Sequence, residues 1–154
     1  MLSQTTEYAL RATICLAYSN DRLVSTSELA EVTKVPMNYL AKVLQLLARS
    51  DIVSGRRGVG GGYKLVRAAS ETSMLDVINA IDPIERIERC PLGLSNHSGA
   101  LCPLHRKLDE SVEMLIAQFS GVSMADMIGE LGENRPMCDE AMTARVDLTL
   151  GGKK

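Results

Sequence analysis

The sequence predicts a mainly α protein: a winged helix-turn-helix with a two-stranded wing and a long C-terminal dimerisation helix. Three observations carry that expectation. Hydrophobic residues make up 45% of the 154 but aromatics only 3%, so the core must be built from Leu, Ile, Val, Ala and Met, which favours helices over a β-sandwich. Two short helical patterns on either side of Pro36 lead straight into a glycine-rich hairpin. Further on, apolar residues at Leu104, Leu108, Val112, Leu115 and Phe119 step by three or four, marking an amphipathic helix of about four turns.

Taken in order, Ala9, Leu10, Ile14, Leu16 and Ala17 give helical spacing from Thr5 to Tyr18, and the polar group Ser19-Asn20-Asp21 ends that run. The next pattern, Ser25 to Thr33, opens with Ser25 three residues before Glu28, the spacing of a capping box. Pro36 lacks a backbone donor and disfavours helix at Val35, so one helix stops before it and the next, Met37 to Ser50, begins on it. In that second helix Leu40, Val43, Leu44 and Leu47 form the buried stripe, leaving Asn38, Lys42, Gln45 and Arg49 on other faces. Strands are expected at Asp51–Ser54 and Gly62–Val66, joined by Gly55-Arg56-Arg57-Gly58-Val59-Gly60-Gly61. Such a basic, glycine-rich tip suits a wing entering the minor groove of DNA. It lacks the following Lys-Ser/Thr pair that a nucleotide loop needs.

Ser73 to Asp82 reads as another short helix, and a Pro-, Gly-, Ser- and Asn-rich loop runs from about Glu88 to Leu101. After the long helix come a short helical patch, Ser123 to Leu131, and a loosely ordered tail. The expected organisation is therefore a DNA-binding domain over 1–82, a sensor loop over 83–103, a dimerisation helix with its following short helix over 104–131, and the tail over 132–154.

Charge supports this division. Residues 1–70 carry nine Lys/Arg against five Asp/Glu, a net of +4, which leaves −6 on the remainder of a chain whose total is −2. A basic first half joined to an acidic second half fits a DNA-binding module with a separate sensing region. No stretch combines a basic start, an apolar run and a cleavage site, and no apolar run approaches the ~18 residues of a membrane span, so a cytoplasmic protein without membrane partners is expected.

In a reducing compartment the four cysteines are core residues, metal ligands or redox groups rather than structural disulfides. Cys15 lies among apolar neighbours on the first helix and reads as a small buried hydrophobe; Cys138, without a spaced partner, reads as an incidental thiol. Cys90 and Cys102 bracket the flexible loop, and His105 follows Cys102 by three residues. Two thiolates and an imidazole this close signal a metal site. Spacing alone leaves three chemistries open: an iron-sulfur site, a zinc site completed by His97, and a reversible Cys90–Cys102 disulfide. Catalysis is not expected, because no oxyanion hole or orienting third residue accompanies Cys102 and His105.

Several segments together resemble the winged-helix regulators of the IscR, NsrR, RirA and CymR type. They are Thr6-Glu7-Tyr8-Ala9-Leu10-Arg11, Val35-Pro36-Met37-Asn38-Tyr39-Leu40-Ala41-Lys42-Val43-Leu44, Gly60-Gly61-Gly62-Tyr63-Lys64-Leu65, and the cysteine-bearing loop before a long helix. The resemblance spans roughly Met1 to Leu131. It implies a homodimer on palindromic promoter DNA, with Asn38, Tyr39, Lys42 and Gln45 on the reading helix and Arg56 and Arg57 on the wing as DNA-binding residues. It also implies a 2Fe-2S iron-sulfur cluster on Cys90, Cys102 and His105, which match the outer cysteines and the histidine of cluster-bearing members, while the middle cysteine falls on Asn96. His97, Asn96 and Glu7 are the candidates for a fourth ligand, and Glu7 is the choice because the arrangement resembles some cluster-bearing relatives in which an acidic residue near the N-terminus of the partner chain reaches the iron. Relatives of the CymR type lack a cluster and sense through thiols, so a thiol-disulfide switch on the same fold is the alternative.

Overall fold

A computed structural model describes residues 2–93, 100–129 and 136. Cys138 and the rest of the tail apart from residue 136 lie outside the described residues. The elements are α1 (Gln4–Tyr18), α2 (Thr26–Thr33), α3 (Met37–Arg49), β1 (Val53–Arg56), β2 (Gly62–Leu65), a short 3₁₀ turn (Ala69–Glu71), α4 (Met74–Asn79), α5 (Pro103–Ser120) and α6 (Met124–Gly129). The mainly helical winged architecture is as expected.

Local chemistry accounts for each boundary. Ser3, Ser25 and Ser73 cap α1, α2 and α4 by accepting from the backbone N–H three residues on, and Asp76 returns a bond to the Ser73 N–H to complete a capping box. The α2–α3 turn passes through Lys34, left-handed at φ 56°, before Val35 and Pro36 lead into α3. Leu29, Leu40, Leu44 and Leu47 from the two helices are fully buried with Ala9, Ala12 and Leu16 of α1, Val77 of α4 and Met124 of α6. Each buried leucine contributes about 1.5–3 kcal/mol. Two hydroxyls inside this core are satisfied within their own helices: Thr13 donates to the Ala9 carbonyl at 2.8 Å and Thr33 to the Leu29 carbonyl at 2.6 Å.

The wing is a single antiparallel pair with Val53 opposite Leu65 and Arg56 opposite Gly62. It starts two residues later than the sequence suggested, because Asp51 takes a left-handed conformation (φ 53°) that turns the chain out of α3. Consequently Arg56 belongs to the end of β1, and only residues 57–61 form the turn. The second strand of the wing, near its turn end, is pinned to the chain entering α2: the Val24 N–H donates to the Tyr63 carbonyl at 2.9 Å and the Tyr63 N–H to the Val24 carbonyl at 2.8 Å. That contact explains Gly62, where a Cβ would stand 2.4 Å from the Val24 carbonyl oxygen. Gly61 is likewise required, since its Cβ would meet the Arg56 carbonyl at 2.2 Å.

The helix over 73–82 is shorter than expected, ending at Asn79 with Ala80 as its cap. The last helix is described over Met124–Gly129, and residues 130 and 131 of the expected patch lie outside the described residues. It packs back on α1 and the 3₁₀ turn, carrying Met124 into the core. Among the described residues no helix is long and apolar enough to cross a membrane.

Candidate metal centre and nucleic-acid interface

Three of the predicted site residues meet at the N-terminal end of α5. Cys102 is the N-cap of that helix and Pro103 its first residue, where a missing N–H costs nothing. His105 therefore occupies the third helical position, and the cap-to-third-residue geometry brings its Nδ1 to 3.2 Å from Cys102 Sγ. Cys90 arrives from the preceding coil, with its Sγ 3.7 Å from the same nitrogen. The three donor atoms lie within 4.8 Å of one another, and all three residues are half-buried. Two soft sulfur donors and one imidazole, converging and still reachable from solvent, fit an iron-sulfur cluster or a thiophilic cation. They also leave the two sulfurs near enough to pair with each other.

Glu7 is not part of this group. Its Oε1 accepts from Arg11 Nε at 2.6 Å, and Arg11 in turn donates through Nη1 to the Thr33 carbonyl at 3.1 Å, tying α1 to the end of α2. The sequence expectation puts Glu7 at the partner chain's trio rather than at its own. Asn96 and His97 lie outside the described residues.

A fastening beside the trio has no motif to announce it. Asp109, one turn beyond His105, accepts both Nε and Nη2 of Arg86 (2.7 and 2.6 Å) and the Ile87 backbone N–H at 2.9 Å. The Arg86 guanidinium, joined by the Ile87 N–H, holds the Asp109 carboxyl down to about 2. A second fastening joins the chain just before this region to α1: Ser3 and Thr6 hydroxyls both donate to Asp82 Oδ2, and those bonds hold its carboxyl below the usual carboxylate range. Only the charge complementarity of Arg86 and Asp109 was visible in the sequence, and at a separation of 23 residues it has no pattern.

On α3, Asn38, Tyr39, Lys42, Gln45 and Arg49 are all exposed, while the leucine stripe faces inward. Lys42 Nζ lies 5.9 Å from the centroid of the Tyr39 ring, so the aromatic supports the ammonium on the outer face. Arg57 is exposed in the wing turn. Arg56, also exposed, donates from Nη2 to the Gly60 carbonyl at 3.0 Å and braces the turn it was expected to tip.

The long helix α5 has no fully buried residue. The apolar stripe read from the sequence divides in two: Val112 and Phe119, with His105 and Asp109, turn toward their own chain, whereas Leu104 (64% exposed), Leu108 (48%), Met114 (61%) and Leu115 (47%) face outward.

Comparison with known proteins places these features. The Rrf2 family profile, described as an iron-dependent transcriptional regulator, matches residues 2–130. A protein of Aquifex aeolicus (strain VF5) described as an HTH-type transcriptional regulator is 31% identical over 131 residues, covering 83% of this chain and 91% of its own. Among solved structures, CymR (YrzC), the global cysteine regulator of B. subtilis, superposes with a TM-score of 0.71 at 20% identity, over 86% of this chain and 98% of its own. T. potens IscR gives the same TM-score at 19% identity, over 93% and 96%.

Proposed function

The chain belongs to the Rrf2 family of transcriptional regulators, and from that premise we propose that it is a cytoplasmic, homodimeric, promoter-binding regulator whose DNA affinity is set by a 2Fe-2S cluster held at Cys90, Cys102 and His105. The single observation that carries the reading is the convergence of two sulfurs and one imidazole nitrogen within 4.8 Å at the head of α5, in a chain that also presents a polar, basic face on α3.

The chain's own residues have defined parts in this reading. Asn38, Tyr39, Lys42 and Gln45 meet base edges and phosphates in a major groove, and Arg56 and Arg57 hold the wing against the neighbouring backbone. The outward Leu104, Leu108 and Leu115 cover their counterparts on a second copy, as an isologous interface requires. Cys90 and Cys102 supply thiolates, His105 an imidazole, and Glu7 of the partner subunit the fourth ligand. Bound there, the cluster supplies one-electron redox chemistry, with a potential raised by imidazole in place of thiolate.

One observation favours a second reading, a thiol-disulfide switch without a cluster: both sulfurs flank one histidine nitrogen, at 3.7 and 3.2 Å. Iron and acid-labile sulfide in anaerobically purified protein separate the two.

DNA binding is tested by titrating promoter fragments at two salt concentrations. Contact with six to ten phosphates predicts a loss of roughly a thousandfold or more between ~50 and ~200 mM salt. Replacing Arg56 and Arg57 together by Ala is expected to weaken binding with helix content unchanged. Equal affinity of that variant and the parent would remove the wing from the interface.

A further inference from the structure

Cys90 reaches the trio by a different route from its two companions. Cys102 and His105 are set by α5 itself, at its cap and third position. Cys90 follows a segment, residues 83–89, that has no regular secondary structure. Among the described residues, side chains fasten that segment at two points. At its start the Ile84 N–H donates to Asn79 Oδ1 at 3.0 Å, just past α4. Nearer Cys90, Arg86 grips Asp109 through Nε and Nη2, and the Ile87 N–H adds a bond to the same carboxylate at 2.9 Å. Arg86 Nη1 also lies 3.2 Å from Glu113 Oε1, one turn further along α5.

The placement of this second fastening matters more than its strength. Asp109 stands one turn from His105, about 6 Å along the axis, and Ile87 stands three residues from Cys90, at most about 10 Å of chain. The Asp109 side chain is only 14% exposed and is used from both of its oxygens, whereas Arg86 is 41% exposed. A bidentate guanidinium–carboxylate pair fixes orientation as well as distance. Exposed ion pairs contribute little to global stability, so what this one can govern is where the coil lies.

We propose that Arg86 and Asp109 are positioning residues that hold Cys90 beside Cys102 and His105, so that the trio is assembled before any ligand arrives. The inference builds on the trio as the sensing site, but its test needs no cluster. In metal-free, full-length protein carrying Cys138→Ser, glutathione disulfide oxidises the two thiols. Cys90 Sγ and Cys102 Sγ join, two protons leave, and one glutathione disulfide is reduced to two glutathione thiols. The equilibrium across glutathione ratios reads the effective concentration of one sulfur at the other. Arg86→Leu and Asp109→Ala are each expected to lower it by about tenfold or more, while far-UV circular dichroism and the urea midpoint stay close to the parent. The double variant is expected to fall no further than the weaker single, because both changes undo one fastening. Arg86→Lys, which keeps the charge and loses the fork, is expected to lie between. A parent whose thiols do not pair, a single variant equal to the parent, or fully additive losses would each overturn the proposal. If the fastening behaves as expected but the parent holds no iron, the cluster reading fails and the positioning role stands.

Discussion

At the scale of single residues, two titratable groups separate structural from reactive chemistry. Cys15 is 4% exposed, and burial, with Glu28 adding to it, pushes its thiol up to about 12. It should therefore resist iodoacetamide at pH 8 under conditions that alkylate Cys90 and Cys102 completely, as mapped by peptide mass; labelling of Cys15 at an equal rate would contradict its burial. Asp109 titrates in the other direction. Its folded value, about 2, lies below the ordinary carboxylate value of about 4, so the folded state binds fewer protons than the unfolded one between these limits. The stability it contributes is complete above pH ~4 and is lost as pH falls through about 2. The difference in urea midpoint between parent and Asp109→Asn should be small, as for an exposed ion pair, constant from neutrality to about pH 5, and should narrow on further acidification. A gap that widens with acid would mean the carboxylate is not paired in the folded state. The role of Cys15 was legible from its apolar neighbours, whereas Asp109 was one acidic residue among many, and only the folded chain places Arg86 and the Ile87 N–H against it.

Elements were legible where periodicity and capping agreed. Ser25 before Glu28 and Pro36 before the leucine stripe located α2 and α3 because both signals are local backbone chemistry. The start of the wing was misplaced by two residues because alternation cannot reveal that Asp51 turns the chain through the left-handed region first. The long helix was found, but its apolar spacing merged two adjacent stripes: the one containing Val112 and Phe119 leans on its own chain, and Leu104, Leu108 and Leu115 face out. Spacing by three and four fits either stripe, and only packing distinguishes them. The outward stripe carries the expected dimer. Leu108→Glu with Leu115→Glu would bury two carboxylates per chain in that seam, at a cost on the order of several kcal/mol per ion. Sedimentation should show monomers with α1–α4 still folded, whereas an intact dimer would remove α5 from the interface.

Across the whole molecule α3, whose outer face is proposed to read DNA, and the donor trio on α5 are joined by one continuous set of contacts. Helix α1 packs on α2, α3, α4 and α6, and α4 packs on α5. Asp82, immediately before the coil over residues 83–89, binds Ser3 and Thr6 at the head of α1. The basic half of the chain thus meets the acidic half through α1, which also bears Glu7. The uneven charge of the two halves was visible in the sequence, but these joints were not, because Ser3 and Thr6 lie 79 and 76 residues from Asp82 and none of the three belongs to a motif. The central claim, that Cys90, Cys102 and His105 hold a cluster, is tested most directly by the iron and acid-labile sulfide content of anaerobically purified parent, Cys90→Ala and Cys102→Ala proteins. The parent should contain both elements in equal amounts and each cysteine variant should lose them; full occupancy in either variant, or a parent without iron, would contradict it.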